Sequence, residues 1–133
     1  MSYEGILDTN LFIRYLHDGT PEEKEKFRNL IERARSKGTT FYIPFIVVVE
    51  MVYVLERVYG LPKARVREMV ENILTLPVEV ENLDVVLTAF ALYEEKNLKF
   101  GDALVLATAK VKEITPIYTF DKDFRKFSEA RVL

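Results

Sequence analysis

The chain has 133 residues, enough for one domain with one substantial core and too few for two. Hydrophobic residues make up 49% and charged residues 30%, a globular balance that excludes wholesale disorder. There is no Cys and one His, His17, which excludes disulfides, thiolate metal sites and cysteine nucleophiles and leaves a zinc site or a Ser-His-Asp triad short of partners.

Net charge is −2, from 19 basic and 21 acidic residues, so the chain cannot grip nucleic acid by bulk positive charge. The longest apolar runs, Phe45 to Val49 and Met51 to Leu55, flank Glu50 and fall far short of the roughly 18–20 residues of a membrane span. Met1-Ser2-Tyr3-Glu4 lacks the basic and apolar regions of a signal peptide. A cytoplasmic protein without membrane contact is expected. With no repeat, low-complexity tract or linker in the sequence, residues 1–133 are expected to form a single domain.

Tyr3 to Leu7 reads as a short strand that ends at Asp8-Thr9-Asn10. A helix through Leu11, Phe12, Tyr15 and Leu16 stops at Asp18-Gly19. Thr20-Pro21-Glu22-Glu23 starts the next helix, with Thr as N-cap, Pro in the first turn and Glu three residues after the cap. Its apolar positions Phe27, Leu30, Ile31 and Ala34 have helical spacing, and it ends before Gly38. Thr39 to Ile43 is rich in strand formers. Phe45 to Tyr59 is too long for a strand and is closed by Gly60 as a helix C-cap. Pro62 opens a helix through Val66, Met69, Val70, Ile73 and Leu74, and Pro77 to Glu81 is a short strand. Asn82 is expected to cap a helix carrying Val85, Val86, Ala89, Phe90 and Tyr93, and another runs from Gly101-Asp102 to Lys110. Pro116 to Thr119 is a strand, Asp121 to Phe127 a short helix, and Arg131 to Leu133 a last strand.

Strands alternating with helices predict an α/β fold: a three-layer domain with a central parallel sheet of about five strands and helices on both faces. Right-handed crossovers would put the C-terminal strand ends on one edge, where such sheets bind ligands. Asp8 follows the first strand and Asp121 the Ile117-Tyr118-Thr119 strand; Asp102 opens a helix, and Glu50 interrupts an apolar one. Asp8 and Asp102 also suit helix N-caps. Glu50 has apolar neighbours on either side, a costly setting for a carboxylate unless it is partnered or reaches solvent beside Arg57.

Taken together the four acids say more. At an effective dielectric of about 20 and ~5 Å separation, each like-charged pair costs on the order of 3 kcal/mol, which calls for a cation or proton uptake. Hard oxygen ligands without His or Cys select Mg²⁺ or Mn²⁺, and carboxylate-bound Mg²⁺ typically handles phosphate oxygens, so phosphodiester hydrolysis is the natural chemistry.

Leu7-Asp8-Thr9-Asn10, Val49-Glu50-Met51-Val52-Tyr53-Val54-Leu55, Gly101-Asp102-Ala103-Leu104-Val105-Leu106-Ala107 and Thr119-Phe120-Asp121-Lys122-Asp123-Phe124 resemble, in order, the motifs of PIN-domain nucleases, most closely the VapC-type toxins of toxin–antitoxin pairs. The resemblance covers essentially the whole chain. It implies a five-stranded parallel sheet between helices and a Mg²⁺-dependent endoribonuclease site. The family's acidic positions match Asp8, Glu50, Asp102 and Asp121, and its small polar helpers match Asn10 and Thr119. On this reading Asp8, Asp102 and Asp121 hold the metal (Mg²⁺ or Mn²⁺) with Glu50 at the attacking water, while Asn10 and Thr119 fix carboxylates or water through hydrogen bonds. Asp123 more often faces water, and His17 is peripheral. Arg14, Lys122 and Arg125 are candidates for contact with substrate phosphates.

The substrate expected is single-stranded or loop RNA: the chain has no basic stripe for duplex binding, and the resemblance supplies most of the preference for RNA over DNA. A small antitoxin protein is the implied partner. A homodimer is expected because the Phe45 to Tyr59 and Pro62 to Thr75 helices carry more apolar residues than one face readily buries, unless Tyr53 and Met69 complete the core. A housekeeping RNA-processing nuclease of the same family and a catalytically silent interaction module are the alternatives. A phosphotransfer protein also places an Asp after its first strand, but the phosphatases of that class have a second Asp where this chain has Asn10.

Overall fold

The computed structural model describes residues 3–133. The chain divides into two compact units, Met1–Asn82 and Leu83–Leu133.

In the first unit, strand β1 (Gly5–Ile6) leads into helix α1 (Thr9–Ile13), which passes without a break into a π-helical turn over Arg14–Asp18. Helix α2 (Pro21–Lys37) begins with the predicted capping box. Thr20 Oγ1 accepts from the Glu23 N–H at 3.1 Å, the Thr20 N–H donates to the Glu23 carboxylate at 3.1 Å, and Pro21 occupies the first turn. Gly38 ends it at φ +68°, a left-handed conformation that a side chain would resist. Strand β2 (Phe41–Ile43), helix α3 (Phe45–Tyr53), a second π-turn (Val54–Val58), helix α4 (Lys63–Ile73) and strand β3 (Val78–Val80) follow. The three strands form a parallel sheet in the order β1-β2-β3, with Ile6 opposite Tyr42 and Tyr42 opposite Glu79. All three therefore end on the same edge. Leu7, Phe12, Phe27, Ile43, Met51, Leu55, Val66 and Ile73 are among its buried residues.

The second unit holds α5 (Leu83–Glu95), α6 (Phe100–Lys112), β4 (Ile117–Thr119), a 3₁₀ turn (Lys122–Lys126) and β5 (Ala130–Val132). Helices α5 and α6 pack on each other, and Phe90, Tyr93 and Phe100 cluster with ring centroids 4.8–6.1 Å apart. Strand β4 pairs in parallel with β5, Tyr118 opposite Arg131.

The strand number and parallel sense agree with the sequence reading; the single five-stranded sheet does not. Among the described residues, five strands form one three-stranded and one two-stranded sheet. The strands are only two or three residues long, and the shortest, β1, contains Gly5, which adds no side-chain packing to a strand. Such short ladders hold few neighbours. Asn82 is also not the extended N-cap expected: its φ of +55° makes it a left-handed turn residue. Helix α6 begins at Phe100, with Lys99 as its N-cap, so Asp102 lies within the first turn rather than capping it. Among the described residues no helix is long and apolar enough to cross a membrane.

Candidate active site

Asp8 follows β1 and stands at the N-cap position of α1 with extended backbone, φ −90° and ψ 162°, yet its side chain makes no capping bond. The carboxylate is exposed and has no hydrogen bond or ion pair among the described residues. A carboxylate left free where a cap is available is open to a ligand.

Glu50 is exposed, not embedded in the core. Helix α3 turns Val47, Val48, Met51 and Val52 inward and leaves Ile46, Glu50 and Tyr53 outward, so the apolar run around Glu50 splits between two faces. Glu50 also lacks a partner among the described residues, Arg57 included. Pro44, as N-cap of α3, offers no side-chain acceptor; instead the Glu81 carboxylate, just past β3, accepts from the Phe45 N–H at 2.8 Å. Two neighbouring strand ends thus fix the helix that carries Glu50. Sequence reasoning passed over Glu81, although an acid directly after a strand was the signal used for Asp8.

Asp8 and Glu50 line one open pocket of about 370 Å³, together with Thr9, Asn10, Arg14, Asp18 and Tyr59. Both π-turns border it, a local geometry often found at functional sites. Asp18 and Tyr59 were not anticipated as lining residues. The Tyr59 hydroxyl donates to Asp18 Oδ2 at 3.0 Å, and that bond, with burial added, holds the phenol above its ordinary value. The His17 ring packs against that of Tyr59, their centroids 4.3 Å apart. Arg14 forms an ion pair with Glu23, whose carboxylate the Thr20 N–H, and next Arg14, hold below the usual range. Because these carboxylates are exposed, solvent screens their repulsion to about 1 kcal/mol per close pair, well below the cost expected for a buried cluster.

In the second unit, Asp102 is half-buried in the first turn of α6, where the helix dipole favours an acid, and has no partner among the described residues. Asp121 is the N-cap of the 3₁₀ turn, its Oδ1 accepting from the Asp123 N–H at 2.9 Å. Thr119 Oγ1 accepts from the Asp121 N–H at 3.0 Å, so this helper fixes the backbone of the acid rather than its carboxylate. Lys122, Asp123 and Arg125 are exposed, and the two cations have no ion pair among the described residues.

Within neither unit do three acidic or histidine side chains, among the described residues, form a ready-made cage for a cation. The donors nevertheless suit a hard divalent ion. In the first unit they are oxygen only, Asp8 and Glu50 have no partner among the described residues, and Mg²⁺ usually takes one or two carboxylates and completes its shell with water and phosphate. The hydroxyl of Thr9, beside Asp8 in the pocket wall, is buried without a hydrogen-bond partner among the described residues, a polar atom the fold alone leaves unsatisfied.

The family model of the PIN domain matches residues 5–130. This chain belongs to the PIN-domain family. PIN domains are three-layer α/β folds, and the parallel strands and helices of both units here are of that class. The PIN domain is 30% identical to the VapC ribonuclease of Aquifex aeolicus (strain VF5) over 122 residues, 91% of this chain and 90% of that one. A chain from the structure of a toxin–antitoxin complex from Klebsiella pneumoniae is similar at 23% identity over 97% of both chains, with a TM-score of 0.39.

Proposed function

We propose that this PIN domain is a divalent-metal-dependent endoribonuclease, the toxin of a toxin–antitoxin pair, acting as one domain over residues 1–133. The observation that carries the reading is a pair of uncommitted carboxylates, Asp8 and Glu50, on one open pocket. It occurs in a chain 30% identical to a protein named VapC ribonuclease. The resemblance of the four motifs to VapC-type toxins supports the toxin assignment, and with it a small antitoxin partner and a cytoplasmic setting.

Asp8, Glu50, Asp102 and Asp121 are the catalytic acids and would hold Mg²⁺ or Mn²⁺. When bound, the ion supplies Lewis-acid polarisation of the phosphoryl oxygen and stabilises charge on the leaving oxygen. Glu50 accepts a proton from the attacking water or orients it, a role its exposure and lack of a cation partner leave open. Asn10, two residues after Asp8 in the same pocket, donates to a carboxylate or to water, and Thr119 holds the Asp121 backbone. Arg14, Lys122 and Arg125 contact substrate phosphates, Arg14 after exchanging its Glu23 partner. The substrate is single-stranded or loop RNA, since a strand offering one phosphate at a time suits an open acidic pocket in a chain of net charge −2.

A homodimer fits the solvent face of α3 and its π-turn, where Ile46, Tyr53 and Val58 are 58%, 62% and 64% exposed; Met69, by contrast, is buried in the core. Sedimentation at tens of micromolar decides between a dimer and a 15.5 kDa monomer.

The test of the activity is cleavage of matched single-stranded RNA, single-stranded DNA and duplex DNA with Mn²⁺, beside an EDTA control and the Asp8→Asn and Asp102→Asn variants. RNA cleavage lost with EDTA and with either variant is expected. Equal or faster cutting of duplex DNA would overturn the RNA assignment, and cutting that persists in both variants would overturn the site.

A further inference from the structure

A second pocket of the first unit, about 410 Å³ in volume, lies between α2, the Arg14–Asp18 turn and α4. Lys24, Arg28 and Arg65 line it with Asn72, Tyr15 and the Thr75 segment, and no carboxylate does. Three cations without a lining acid are unusual in a chain of net charge −2.

Their pairing adds to this. Arg65 has Glu68 at 2.8 Å, but Lys24 and Arg28 have no ion pair among the described residues. Several cations elsewhere on the same helix are engaged, Lys26 with Glu22 and Arg35 with Glu32. Lys24 is half-buried as well. Tyr15 is held against Phe27, ring centroids 4.6 Å apart, and is half-exposed at the pocket wall.

We propose that this pocket binds a backbone phosphate of single-stranded RNA outside the Asp8–Glu50 site. Arg28 supplies the planar fork that suits phosphate, Lys24 a point charge, and Asn72 a neutral donor. The Tyr15 ring gives a neighbouring base a surface to stack on. A docked protein helix would call for an apolar floor, whereas cations and polar groups make up most of this lining. The inference rests on the ribonuclease reading for its substrate and concerns a different set of residues.

The experiment measures binding of a fluorescent single-stranded RNA 12-mer by anisotropy in EDTA, where cleavage is off, between 50 and 200 mM KCl. It compares the wild type with Lys24→Gln/Arg28→Gln, Lys24→Arg/Arg28→Lys and Lys96→Gln. Loss of both cations from the one phosphate should weaken binding about tenfold and flatten the salt dependence, log K against log salt, by about 0.7. The charge-retaining pair should keep most of the affinity, and Lys96→Gln, an exposed cation far along the chain, all of it. Unchanged affinity and slope in the Gln pair, with Mn²⁺-dependent RNA cleavage intact, would overturn the phosphate site and leave the ribonuclease reading standing. Binding lost in the Gln pair when the wild type cleaves no RNA would do the reverse. Displacement of the RNA by a polyglutamate peptide of equal affinity would assign the pocket to an acidic protein segment and overturn the proposal. Arg28 is exposed and neither side chain makes an ion pair among the described residues, so a circular-dichroism melt matching the wild type is expected for the Gln pair.

Discussion

Replacing Glu81 by Ala removes the one side chain seen to satisfy the N-terminus of α3. Pro44 has nothing to offer the Phe45 N–H, so the 2.8 Å bond from Phe45 to Glu81 is lost without a substitute. Removing a capping acceptor costs about 0.5–2 kcal/mol, and removing a negative charge from a helix N-terminus a further ~0.3–1 kcal/mol. About 1.5 kcal/mol is a fair central value. With unfolding entropy of about 2.1 cal/mol/K per residue, cooperative melting of the whole chain would lower Tm by about 5 °C. If the first unit of 82 residues melts by itself, the same loss is spread over less entropy and the drop is about 9 °C. Glu81→Gln keeps an acceptor oxygen and should lose only the charge contribution, about 0.5 kcal/mol. Thermal melts of the three proteins at pH 7 and low salt read this directly. An Ala variant that melts within 1 °C of the wild type, or a Gln variant as unstable as Ala, would refute the argument that Glu81 caps the helix.

Millimolar Mn²⁺ should raise Tm by about 5 °C at tenfold excess over Kd, because the ion binds the folded state only, and Asp8→Asn should remove most of that shift; identical melts with Mn²⁺ and EDTA would refute it. Glu4, Glu23 and Glu129 are all held below the usual carboxylate range, first by bonds from Thr39, the Thr20 N–H and Lys110 respectively. Their contribution is fully present above the unfolded value of about 4.3 and is lost as pH falls through the lower folded values, so urea stability should drop below about pH 4 and drop less in Glu4→Gln/Glu23→Gln/Glu129→Gln. Tyr59 works in the opposite sense: its raised value gives stability present below about pH 10 and lost as pH rises through the folded value, and Tyr59→Phe should flatten the alkaline limb of the urea stability profile.

Local chemistry was the most legible part of the sequence. Thr20-Pro21-x-Glu23 has one low-energy solution, and the structure adopts it down to both bonds of the capping box. Asp8 taken alone read first as a cap and second as a ligand, because both roles ask for an acid after a strand. The structure shows no capping bond from Asp8, and no pattern of residue types encodes that absence. Glu50 read as partnered or solvent-facing, and helical periodicity decides it: Val47, Val48, Met51 and Val52 turn inward while Ile46 and Tyr53 share its outward face. The partition of the strands into two sheets depends on which ladders close, a non-local matter to which Gly5–Ile6 and Ile117–Thr119 contribute too few residues to signal it. Asp18 and Tyr59, 41 positions apart, meet only after the fold is complete.

The two π-turns make chain length itself a specified quantity. In the second, the Tyr59 N–H reaches back five residues to the Val54 carbonyl, so the turn holds one residue more than an α-turn with the same ends. Deleting one residue from Arg14–Asp18 or Val54–Val58 would restore the α period between the same two ends and remove the outward bulge of the turn. Asp18, the last residue of one turn, and Tyr59, the first beyond the other, would keep their places on the shared pocket wall while the turn before each was shortened. Substitutions in these ten positions alter a surface, whereas a deletion alters the width of the turn that carries it.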